Sequence, residues 1–452
     1  MNTLIIIISI LTTVLSVNLF SKAAGSMSLL KMHTVSYVFY VQIVTSALIA
    51  SVLLVTGVLD YHPDVAYISE KVKFEAWLWT MYSIIAMPIG MLGLNRLLGI
   101  NAKLKLNAYI KSNFMINGTI YKNQVILLAS VGFCILVLAY IFYHTDRIPI
   151  YTLLVEKDAE QAAIDRVSVR YNFHGIDHIK NLLGLIMIPV MAYYAYVMMR
   201  IHKKIFYIFI FLLNFLCAIL VIVYDIQKAP VAFFITGFLI LEVFISKGIS
   251  LKKMLILVAI PITLLLVGYS FTTDKSIVDQ LLNFDSAFYG RFFVVGYYGF
   301  PLSLELFPDV ITDPTYAVGI PNSILETIGL NSVESARLLK EYVHTEEVRK
   351  GTGNLFSGYY MGEAWANYGY LGLVLAPFVV GFVVQTVHLF LILNNKKPYL
   401  LAFYTAITVK WVVSSGFVNF LYLKLLIWPF IIYFVSNYFI EKYLSNSSSS
   451  SV

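Results

Sequence analysis

Residues 205–245 read IFYIFIFLLNFLCAILVIVYDIQKAPVAFFITGFLILEVFI. A helix needs about 20 apolar residues to cross the roughly 30 Å hydrocarbon layer of a bilayer. This stretch is long enough for two crossings, and only Asp225-Ile226-Gln227-Lys228 interrupts it. An acid and a base this close together call for a polar turn. The stretch therefore predicts two antiparallel membrane helices joined near residue 225.

The same test applied along the chain finds spans at about 3–20, 34–59, 76–95, 123–143, 181–199, 205–224, 229–245, 254–271, 370–393, 399–417 and 421–439. The expected fold is an all-α integral membrane protein with about 11 transmembrane helices. Composition agrees. Of 452 residues, 59% are hydrophobic and 13% charged, whereas soluble domains spend roughly 25% on charge. Pro88, Pro189, Pro261, Pro377 and Pro429 fall inside spans, which neighbouring helices can tolerate. Cys134 and Cys217 sit in apolar runs and offer no disulfide or metal framework. The +7 net charge is scattered over short loops, so no nucleic-acid partner is expected. The first apolar run lacks a basic leader, so it is expected to stay as a span.

Orientation follows from Lys and Arg in the loops. One set of loops holds 16 Lys and Arg against one acid, Glu441, and the alternate set holds 14 against 23 acids. The first set is expected to be cytoplasmic. This places the chain in a membrane as a multi-pass protein, its N-terminus outside and its C-terminus cytoplasmic. The expected organisation is spans 1–8 in residues 1–271 with an outer loop at 144–180. A large outer loop with short helices follows at 272–366, then spans 9–11 at 367–440 and a disordered tail at 441–452. Ser332–Ser335 predicts a helix start with Leu339 and Val343 on one face and Gly351 as its stop. Residues 101–122, basic and amphipathic, predict a helix lying on anionic lipid.

No repeat of the transporter kind is seen, and few charges lie in the spans: Glu242, Lys410 and Lys424. That points to chemistry at the outer surface. No G-x-S-x-G, H-E-x-x-H or phosphate-cradling glycine loop is present, so hydrolase and nucleotide sites lack support. His174 and His178, at i and i+4, have no third ligand nearby, and no metal is expected. An enzyme facing away from the cytoplasm has no nucleotide supply. A transfer reaction there needs a donor already activated, such as a lipid diphosphate.

Arginine grips phosphate with two parallel bonds and keeps its charge. Arg291, within FYGRFFVVGYYGFP, is a candidate diphosphate clamp, against the alternative of an interfacial side chain paired with Asp285. Arg170 is a second candidate. Asp225 and Lys228 flank the tight turn and either cap helices or support a site. Arg349 precedes the flexible stretch to Asn354. Glu363 sits among Tyr359, Tyr360 and Trp365, rings that could stack on sugars. A carboxylate beside rings can serve as a general base.

The stretch Gly362-Glu363, Asn367-Tyr368-Gly369 and Gly372, with an outer arginine after the eighth span and the large loop, resembles the bacterial oligosaccharide repeat-unit (O-antigen) polymerase family. Leu302 stands where some members carry a glycine eleven residues after that arginine. The resemblance implies a membrane glycosyltransferase that joins undecaprenyl-diphosphate-linked oligosaccharides on the periplasmic face, releasing undecaprenyl diphosphate without metal or other cofactor. A chain-length regulator would be a partner, alongside membrane lipids. Arg291, Arg170 and Glu363 would be catalytic. Asp225, Lys228, His344, Arg349, Asn354, Tyr360 and Trp365 would bind substrate. The alternatives are an O-antigen ligase and a flippase or exporter of lipid-linked units.

Overall fold

A computed structural model of the chain describes residues 2–273, 276–283, 286–312, 327–329, 334–349, 358–410, 413 and 416–445. It is 80% helical. Among the described residues no strand forms, and one antiparallel bridge pairs Tyr298 with Gly358. Among the described residues, ten helices are long and apolar enough to cross a membrane.

They fall in α1 Asn2–Ala24, α2 Thr34–Val55, α3 Glu70–Leu97, α4 Ile120–Tyr143, α5 Ile179–His202, α6 Ile205–Val223, α7 Lys228–Ile245, α8 Leu251–Thr273, α9 Tyr360–Ile392 and α11 Lys424–Ser445, with the shorter α10 Pro398–Lys410 between the last two. The turn expected near residue 225 is present, with Ile226 in the left-handed region at φ 54°. One span departs from expectation: of the helix expected over 399–417, Pro398–Lys410 is described as helix, and Val413 already stands in a turn.

The bundle leaves apolar side chains such as Leu4, Ile10, Leu11, Val14, Ile205 and Phe209 exposed. In water such a surface would drive aggregation; against lipid tails it is the favoured one. Between helices the contacts are close or polar. A Cβ built at Gly381 would lie 2.1 Å from Met87 O, so only glycine lets α9 approach α3 this way. Gln385 donates to Ala23 O at 2.9 Å and to Asn95 Oδ1 at 2.7 Å, tying α9 to α1 and α3.

Loop contacts sort the two faces. Lys397 pairs with Glu441 at 2.8 Å, Met115 N–H donates to Lys396 O at 2.8 Å, and Lys247 donates to Asn113 at 2.9 Å. These join the Lys-rich loops into one face, here the basic face. On the opposite face Ser69 donates to Glu305 at 2.8 Å and Tyr297 shares a 2.8 Å hydrogen bond with Thr80. That face carries both long loops and is here the loop face.

Two local expectations need correction. Residues 102–111 are helical, but Leu106, Tyr109 and Ile110 are buried against the bundle. Lys396 explains this: its ammonium donates to Ile110 O, Ser112 O and Phe244 O at 3.1, 3.1 and 2.7 Å. Burial pulls that ammonium down to about 8. The helix expected to run from Ser335 to Gly351 breaks at His344 into Ser335–Val343 and Thr345–Arg349. There His344 Nε2 meets Asp64 at 2.9 Å and Nδ1 lies 3.4 Å from Glu347. Gly351 lies outside the described residues.

Candidate functional site at a broken membrane helix

Every residue of α10 from Pro398 to Val409 is buried, and its last residue, Lys410, is exposed. At about 1.5 Å per residue the 13 residues of α10 cover about two-thirds of a roughly 30 Å hydrocarbon layer. The helix starts beside the basic-face residues Lys396 and Lys397. Lys410 therefore stands below the loop face, at the far end of α10 from the basic loops. Helices broken at such depth occur where backbone lines a cavity or is buried in protein.

Three neighbours hold the chain after the break. Val413 N–H donates to Gln42 Oε1 at 2.6 Å. Tyr360 N–H donates to Val413 O at 3.2 Å. Val418 N–H donates to Glu363 Oε2 at 2.8 Å. Backbone groups that left the helix are thereby satisfied, as a low-dielectric interior demands.

Wide helical turns cluster at this break. Gln42 belongs to a π-helical stretch of α2, Val38–Leu48. Lys410 Nζ donates to Leu185 O at 3.1 Å, and Leu185 lies in the π-helical start of α5, Ile179–Met187. A third π-helical turn, Gly290–Val295, packs on α2. Such turns shift carbonyls out of the regular ladder and mark functional positions.

Charged side chains gather at the start of α5 and in the α6–α7 turn. Asp225, in the α6–α7 turn, accepts from Gln227 Nε2 at 2.6 Å. Burial raises its carboxyl above the usual carboxylate range, and the Gln227 backbone and the Arg166 guanidinium partly offset this. Asp225 also acts electrostatically on Lys410. Lys228 places its ammonium 4.3 Å from the Tyr269 ring. Lys180 pairs with Asp177 at 2.7 Å and lies 4.4 Å from the Phe173 ring. Asp177 and Asp225 both act on Tyr224, whose hydroxyl burial pushes up.

The residues expected from sequence divide into groups. Asp225 acts on Lys410 from the α6–α7 turn, and Lys228 follows it at the start of α7. Arg170 is exposed at the end of the helix Ala159–Tyr171, one turn beyond Arg166. Arg291 occupies the π-helical turn against α2. Glu363 is 8% exposed, and its Oε2 accepts from Val418 N–H. Tyr360 is fully buried, and Trp365 Nε1 donates to Phe307 O at 3.0 Å. His344 and Arg349 belong to the loop helices, Arg349 pairing with Glu346 at 2.8 Å. Asn354 and Asp285 lie outside the described residues. His174 and His178 separate: His174 meets Asp146 at 2.8 Å, and His178 lies 6.0 Å from the Trp428 ring.

Sequence reading did not assign Lys410, Gln42 or Arg166 to the site. A signal existed for Lys410, since a lone cation inside an apolar run is costly and functional by default.

The G-E-x-x-x-N-Y-G-x-x-G stretch has a geometric explanation. Gly369, at φ 56° and ψ −140°, divides α9. A Cβ built at Gly372 would lie 2.0 Å from Ala364 O. In a straight helix those residues would stand about 12 Å apart along the axis, so residues 360–368 fold back across the head of the span. A Cβ at Gly362 would lie 3.0 Å from Phe300 Cα. Glu363 then reaches the segment behind Lys410.

Comparison with protein-family models, with curated proteins and with solved structures finds no match for this chain.

Proposed function

We propose that this chain polymerises undecaprenyl-diphosphate-linked oligosaccharide units, transferring the growing chain to a new unit and releasing undecaprenyl diphosphate. The observation that carries the proposal is Lys410, an exposed cation at the end of a buried, broken helix, with Asp225 and basic side chains around it. A transferring glycosyl group leaves a diphosphate behind. Negative charge develops on that leaving group, and fixed cations held by the fold stabilise it.

Lys410 binds the diphosphate from below, and Arg166, Arg170 and Lys228 close on it from the loop face. Asp225 keeps the cations together and, with its raised carboxyl, is the group placed to take the proton of the attacking sugar hydroxyl. Glu363 is a positioning residue that anchors the chain behind Lys410 through Val418. The loop face lies outside the cytoplasm, as the Lys and Arg distribution implies, in the inner membrane of a bacterium. The polyprenyl tail stays among the lipid-facing apolar side chains.

The test is synthesis. In cells lacking the chain, loss of a polymerase leaves single-unit glycolipid, loss of a ligase leaves none, and loss of a flippase strands units inside. Single-unit product is expected; either other outcome overturns the proposal.

A further inference from the structure

Residues 360–368, ahead of the break at Gly369, form a short helix with one inward stripe. Tyr360, Glu363, Ala364 and Asn367 share it by helical spacing. The first three are buried, and Glu363 has its hydrogen bond to Val418. Asn367 differs. Its Oδ1 and Nδ2 are both shut off from solvent, and neither has a hydrogen-bond partner. Folded proteins satisfy nearly all such groups, and an exception calls for a reason.

The surroundings supply one. Gly369 is a joint that other residues adopt with strain. One helical turn before Asn367, about 6 Å along the axis, Glu363 grips the chain that leaves Lys410. A carboxamide presents a donor and an acceptor side by side. A phosphate, which chiefly accepts, uses half of that pair. A sugar hydroxyl or acetamido group both donates and accepts, and uses all of it.

We propose that Asn367 is a specificity-determining residue that binds a hydroxyl or acetamido group of the incoming sugar. Residues 360–368 turn about Gly369 to present it. This rests on the saccharide-polymerase reading above.

The experiment uses purified full-length protein and two probes. One is the oligosaccharide released by mild acid from the host's own lipid-linked units; the other is undecaprenyl diphosphate. Asn367→Leu fills the same space without the orphaned groups. It is expected to melt no lower than wild type, to bind the oligosaccharide at least tenfold more weakly, and to bind undecaprenyl diphosphate unchanged. Asn367→Ser, which keeps a donor and an acceptor, is expected to bind the sugar better than Asn367→Leu, and it carries the test should Asn367→Leu fail to fold. Equal oligosaccharide affinity in wild type and variants overturns the proposal, as does wild type binding undecaprenyl diphosphate but no oligosaccharide. Oligosaccharide binding that depends on Asn367, with no polymer formed by wild type, upholds this site and removes the polymerase reading.

Discussion

The ammonium of Lys410 stands 3.1 Å from the main-chain oxygen of Leu185. That contact joins the cut end of α10 to the wide first turns of α5. A hydrogen bond to a charged donor contributes about 1.5–3 kcal/mol, enough to fix the direction of the side chain without neutralising it.

Lys410→Met removes this cation and keeps much of its length. If the ammonium meets the diphosphate in a comparable bond, about 1.5–3 kcal/mol is lost, or roughly 10- to 150-fold in affinity. Titration of detergent-solubilised protein with undecaprenyl diphosphate measures this. Lys410→Arg should keep most of the affinity, and equal affinity for all three proteins would remove Lys410 from the site.

Glu363→Gln and Glu363→Ala separate anchoring from proton transfer. Gln keeps an oxygen for Val418 N–H, so polymer formation should fall only a few-fold and its pH profile should keep its shape. Ala leaves that N–H unsatisfied, which costs about 1–3 kcal/mol and should lower the thermal midpoint. A Gln variant that folds normally but has no activity would make Glu363 the base. Asp225→Asn should then have little effect, whereas the present account has it abolish turnover.

Gly369→Ala and Gly372→Ala test the folded-back helix. Alanine at φ 56°, ψ −140° is strained by about 1–3 kcal/mol. At position 372 the new methyl meets Ala364 O, and the backbone itself must move. Tryptophan-fluorescence melting should show both variants less stable, with position 372 the more sensitive. Unchanged midpoints would mean that α9 runs straight.

Acid should loosen the loop helices from the bundle. The hydrogen bond from Lys340 holds the Glu347 carboxyl below its ordinary value of 4.5, with burial opposing and the Lys340 and His344 charges adding. A depressed carboxyl contributes its stability in full above the unfolded value and loses it as pH falls through the folded one. Hydrogen exchange over residues 335–349 should therefore show wild type better protected than Glu347→Gln near neutral pH. The difference should shrink as pH falls through the folded value, which lies below 4.5; a difference independent of pH would exclude this ion pair as the tether.

Much of this architecture was legible in residue order. Hydropathy located the crossings, and the break at residue 225 followed from one acid and one base in an apolar run. The entry of α9 was readable in Gly369 and Gly372, because glycine there answers a backbone demand. The end of α10 was not legible. Residues 399–417 are apolar enough for one continuous helix, yet Val413 stands in a turn, its backbone held by Gln42 and Tyr360, and Glu363 holds Val418, all three remote in sequence. For the same reason Glu363 reads as an interfacial acid in a linear view, whereas the fold turns it inward. Arg166 and Lys410 belong to separate elements, and only packing brings both to Asp225.

The central claim meets its most direct test in liposomes holding the purified protein and lipid-linked repeat units. The account predicts a ladder of lengthening saccharides on a gel, with one undecaprenyl diphosphate released per added unit, and no ladder from Lys410→Met. Units that cross the bilayer without lengthening, or a full ladder from Lys410→Met, would contradict it.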